Sequence, residues 1–199
     1  MATANLGGAS GTRVATKERE LRSAYLERQR AEPGWLERET AARLGSESSS
    51  VEQVALLRAL EDCKSGELVR WLEHAVRACE DTATAQGVSV PTFALTRLRQ
   101  VAARDPLARQ ALVRLAFEPP QLSGALRRSA ASAVAACADV EELVELELRL
   151  RREQDPELLA SALSALGARS GERAVSALFA RNGWEPPPPR ELPTDTILE

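Results

Sequence analysis

Residues 155–180 read "DPELLASALSALGARSGERAVSALFA". Asp155 suits a helix start, because its carboxylate accepts the unpaired N–H groups of a first turn. Pro156 follows where a missing N–H costs nothing. Small and aliphatic residues then run to Gly167: Ala160, Ala162, Leu163, Ala165 and Leu166. A second run holds Ala174, Val175, Ala177 and Leu178. The stretch predicts two short helices joined by a turn.

Upstream the same plan recurs. "LSGALRRSAASAVAAC" and "DVEELVELELRLRREQ" form a pair, the second opened by Asp139 and Glu142 as a capping box. "LVELELRLR" alternates apolar and charged residues, a strand-like period. Its position between helical units and its own N-cap predict helix instead. "TFALTRLRQVAARD" and "PLARQALVRLAFE" form another pair, split at Asp105-Pro106 and ended by Pro119-Pro120. A further pair is "VEQVALLRALEDC" with "SGELVRWLEHAVRAC", in which Ser49 and Glu52 make a second capping box. Aligned at Val51, Phe93, Leu126 and Leu158, the four pairs are offset by 42, 33 and 32 residues. Helix pairs at that period predict stacked units, each burying its apolar face on the next.

The pairs resemble the HEAT-like repeats, specifically the short variety related to phycobilisome-lyase repeats. The likeness rests on the residues named in 155–178, and on Leu126, Arg128, Ala130, Ala131, Ala133 and Val134 in the preceding pair. It spans about residues 50–182; the first pair matches only in period and length. It implies an α-solenoid and is nearly silent on function, since such repeats carry many tasks. Residues 1–12 are expected to be flexible and residues 13–45 to form a helical extension. The extension holds a helix over Thr16–Ala31, a break at Pro33-Gly34 and a short helix closed by Gly45. Residues 50–183 would be the repeat domain and 184–199 a proline-rich tail.

Composition agrees with an all-α chain. Aromatics are 4% of the 199 residues, so Leu, Ala and Val must fill the core, and few strand-favouring residues remain. The Arg and Ala bias points to a GC-rich, bacterial genome. A net charge of -3 argues against a dedicated nucleic-acid binder. No apolar run nears the roughly 20 residues that span a bilayer, and the first residues lack a secretory pattern, so the cytoplasm is the expected location.

Chemistry finds little footing. His74 is the single histidine, and Cys63, Cys79 and Cys137 show no CxxC spacing, so no metal site, cofactor or catalytic set is expected. The paired His-Glu motifs of HEAT-like iron-dependent hydroxylases do not occur. Paired acids such as Glu141-Glu142 read as a solvated helix face.

Charge is distributed in blocks. Residues 46–87 carry 4 basic and 8 acidic side chains, residues 88–128 carry 7 and 2, and residues 129–160 carry 3 and 8. The basic block either pairs with its acidic neighbours or faces an acidic partner. On the second alternative Arg97, Arg99, Arg104, Arg109 and Arg114 supply the complementarity. Near the end, "NGWEPPPPRELPTDTILE" either caps the last repeat through Trp184 or docks a partner through Trp184, Ile197 and Leu198. Leu21, Tyr25, Trp35 and Leu36 in the N-terminal extension raise the same choice.

The expectation is a short solenoid of about four hairpins that binds another protein in a larger assembly, with no cofactor and no small-molecule substrate. Two alternatives stay open. One is a nucleic-acid-binding accessory protein or an enzyme like the HEAT-like alkylpurine DNA glycosylases. The other is a lyase- or chaperone-like accessory subunit.

Overall fold

The computed structural model describes residues 7–79, 89–118 and 122–185. Among them there are ten α-helices and no strand: α1 Gly7–Ala31, α2 Trp35–Arg43, α3 Ser50–Asp62, α4 Leu68–Ala78, α5 Val90–Ala102, α6 Pro106–Phe117, α7 Gly124–Cys137, α8 Val140–Arg152, α9 Pro156–Gly167 and α10 Arg173–Asn182.

The starts follow local chemistry. Ser49 and Asp139 make full capping boxes with Glu52 and Glu142, each side chain taking the other's backbone N–H. Asp105 and Asp155 cap α6 and α9 ahead of a proline in the first turn. The alternating segment is one continuous helix: α8 buries Leu143, Leu146, Glu147 and Leu150, a helical spacing of three and four. At the N-terminal side the helix begins at Gly7 rather than near Thr16, so the expected flexible stretch over residues 1–12 is helical from residue 7.

The helices share one core. α3, α5, α7 and α9 each pack on the next, while α4 lies against α6 and α8 against α10. α7 touches α5, α6 and α9, and its Ala130, Ala131, Ala133 and Ala135 are buried. Alanines let backbones approach closely, which leucines in those places would prevent. α1 and α2 pack on α3, with Leu36 fully buried and the Tyr25 and Trp35 rings 5.7 Å apart. Gly45, at φ 77°, turns the chain after α2 so closely under Ala78 that an added Cβ would lie 3.0 Å from the Ala78 methyl. Buried Gln53 ties this turn together: its carbonyl accepts the Gly45 N–H at 3.2 Å, and its amide donates to the Ser48 carbonyl at 2.8 Å.

Candidate interaction surface

Most of the basic block has partners inside the molecule. Arg97 of α5 pairs with Glu61 of α3. Arg114 of α6 grips Glu73 of α4 through Nε and Nη2 at 3.0 and 2.6 Å. Arg127 donates to Glu153 at 3.1 Å and to the Ala116 carbonyl, and Arg128 meets Glu157 at 2.6 Å. Every one of these carboxylates belongs to an acidic block that flanks the basic one. The Arg128–Glu157 pair is the most open to solvent, and such surface pairs are worth roughly 0–1 kcal/mol; the others are partly buried.

Arg109 is more enclosed, its side chain 13% exposed. Its Nε donates to both oxygens of Glu142 at 2.8 and 2.6 Å, Nη2 to Asp139 at 3.2 Å and Nη1 to the Ala102 carbonyl at 3.1 Å. These hydrogen bonds, chiefly the one to Glu142, hold the guanidinium charged more firmly than usual. One arginine on α6 therefore joins the end of α5 to the capping box of α8. A charge reversal at Arg109 would test the fold before it tested any partner. Arg99 and Arg104 differ: both are exposed, and among the described residues no carboxylate lies within ion-pair distance of either.

The outer face of α8 is the surface that sequence reasoning missed. Val140, Val144 and Leu148 are exposed at 66%, 58% and 50%, four residues apart along one side of the helix. Leu107 on α6 is the other large apolar side chain so exposed among the described residues. The signal was the alternation itself. Six aliphatic residues in thirteen exceed what one buried stripe can take, and the surplus forms a second stripe in solvent.

Beside this stripe, the cleft between α6 and α8 holds two adjoining hollows. One of about 280 Å³ is walled by Arg109, Val113, Arg114, Glu142 and Arg149. The other, about 460 Å³, is walled by Phe117, Leu148, Arg149, Arg152 and Glu153. On the opposite row, a shallow groove of about 270 Å³ between α5 and α7 is edged by Thr92, Thr96, Arg99 and Ser129.

Trp184 sits at the end of α10 for a local reason. Gly183 adopts the left-handed conformation at φ 65°, and the Trp184 N–H returns to the Phe179 carbonyl at 3.1 Å. That reverse turn brings the Trp184 ring edge-on to Phe179, centroids 6.4 Å apart. Trp184 is thus half-buried as the cap of the last helix. Ile197 and Leu198 lie outside the described residues. His74 is exposed beside Trp71, and burial pushes the thiols of Cys63, Cys79 and Cys137 up, which keeps them protonated near neutral pH. Among the described residues no three His, Cys, Asp or Glu side chains gather as metal ligands, and no helix is long and apolar enough to cross a membrane.

No family model, curated protein or solved structure matches the chain.

Proposed function

We propose that the protein is a short HEAT-like α-solenoid, four hairpins with an N-terminal helical extension, serving as a non-enzymatic adaptor or assembly subunit in the cytoplasm. The observation that carries this reading is the stripe Val140, Val144 and Leu148 on the outer face of α8. Three aliphatic side chains in register on one helix are the footprint of a contact. The ligand that fits is a protein segment with apolar side chains at helical spacing, laid along α8. Because α8 is already held by its buried leucines, binding would meet little ordering cost. Covering the stripe would contribute on the order of 2–4 kcal/mol before other losses.

A second docking point rests on Arg99 and Arg104, two of the five arginines expected to face a partner and the two without an internal carboxylate. They suit an acidic segment of the same partner.

The test is affinity purification of the tagged protein from its native cells, with and without nuclease, repeated with Val144→Asp and with Arg99→Glu/Arg104→Glu. The reading expects a stoichiometric protein that survives nuclease and is lost with Val144→Asp. A partner unaffected by both variants would refute it, and material held only through nucleic acid would favour the nucleic-acid alternative.

A further inference from the structure

We propose that the segment laid along α8 is the α8 of a second copy of this chain, the two helices running antiparallel about a two-fold axis. The proposal rests on the reading of Val140, Val144 and Leu148 as a binding face, and commits that face to self-association.

Charge complementarity points to this occupant. Glu141 and Arg152, beside the stripe, are both exposed, and among the described residues neither has an oppositely charged group within ion-pair distance. They are eleven residues apart, which is three turns and about 20° round the helix, so they stand on the same side. A two-fold axis keeps that side against itself and reverses its direction. With the axis level with Leu146, Val144 of one copy lies opposite Leu148 of the other, because both are two residues from it. The same placement sets Glu141 within about 1.5 Å, along the helix axis, of the second copy's Arg152. Val140 then faces the methylene stem of that arginine, which covers it while the charge reaches Glu141. Like charges stay apart: Glu141 is about 15 Å along the axis from its own counterpart, and Arg152 about 18 Å. Glu145, nearer the axis on that side, is already bonded to Arg149 of its own helix at 2.8 Å.

One α8 thus carries both halves of a matched contact, an acid towards one end of the stripe and a base at the other. A different protein would have to supply the reversed pattern, which a second copy has by symmetry. Antiparallel pairing also sets the positive start of each α8 beside the negative end of the other. The stripe is small, so the dissociation constant should be on the order of 10–100 µM. Two joined copies would present Arg99 and Arg104 twice, a doubled docking point for an acidic partner.

The experiment is sedimentation of the purified full chain over roughly 1–500 µM, a range that brackets so small a contact. Pairing predicts a concentration-dependent dimer that Val144→Asp abolishes. Glu141→Arg and Arg152→Glu should each weaken it several-fold, because each sets like charges against one another. An equal mixture of those two variants should recover it, since the chain with two arginines then meets the chain with two glutamates. Melting at low concentration, where the chain is monomeric, checks that each variant folds. A chain that stays monomeric throughout the range overturns the proposal. So does a dimer untouched by Val144→Asp, or a mixture that associates no better than either variant alone. Sedimentation needs no other protein, so pairing and adaptor fail separately. A monomeric chain that captures a protein lost with Val144→Asp sinks the pairing alone, and a dimer that captures nothing but itself sinks the adaptor alone.

Discussion

α7 and α8 follow one another along the chain and are nearly equal in length, yet they are held in opposite ways. α7 presents alanines to α5, α6 and α9, and the neighbours close in on several sides. α8 buries one leucine stripe with Glu147 among it, and keeps as many aliphatic side chains in solvent as it buries. Size of side chain decides the difference. An alanine loses no rotamer freedom on burial and allows close approach, so a helix made of it is gripped from several directions. A helix of leucine, valine and glutamate is gripped from one direction, and its second apolar face is left to meet something else.

The comparison breaks first at Leu146. Its truncation to Ala removes a fully buried side chain from the one stripe that holds α8, and should cost about 2–5 kcal/mol in urea unfolding. A loss below about 1 kcal/mol would mean that α8 is held by something other than that stripe. In α7 the damaging change is enlargement: Ala131→Leu should cost about 1–3 kcal/mol, because three neighbours leave no room for four-carbon side chains. If it proved neutral, the close packing of α7 would not be what fixes it.

Glu147 sharpens the contrast by pH. Its carboxylate, 7% exposed, takes hydrogen bonds from Arg181 and Asn182, and these hold its pKa below the usual carboxylate range, Arg181 contributing most. A lowered folded-state pKa means that the stabilisation is complete above the unfolded-state value. It is lost as pH falls through that value towards the folded one. Glu147→Gln should therefore cost about 1–2 kcal/mol at pH 7, with the gap from the parent protein closing in acid below the ordinary carboxylate range. A gap independent of pH would assign the effect to packing. The smallest effect belongs to Val144→Asp, which should leave the melting midpoint within the range of about 0.5 kcal/mol expected of an exposed site. A larger loss would show that the outer stripe is packed within the molecule.

What was legible in the sequence was whatever a few neighbouring residues decide. Ser49 with Glu52, Asp139 with Glu142, and the Asp-Pro steps at 105 and 155 mark helix starts through contacts within one turn. The start of α1 was missed because Gly7 to Thr12 have low helix propensity and offer no such signal. The arginine block could be read only as two alternatives, since which carboxylate meets Arg97 or Arg114 depends on which helices lie side by side. Gln53 gave no sign of pinning the Gly45–Ser48 turn, because a lone glutamine within an apolar run looks like a gap in the pattern. The outer stripe of α8 was visible as alternation, but its exposure follows from α6 and α10 sitting where they do.

Glu142 has a consequence for how this chain can be cut and rejoined. Its carboxylate both accepts the Asp139 N–H that opens α8 and receives Arg109 from α6. The start of α8 is therefore a possession shared with α6. Moved into a different host, α8 would arrive with two carboxylates crowded at its first turn and no guanidinium between them. Any graft that carries the α8 surface elsewhere must take α6 along, or replace Glu142 with a neutral glutamine that can cap without Arg109.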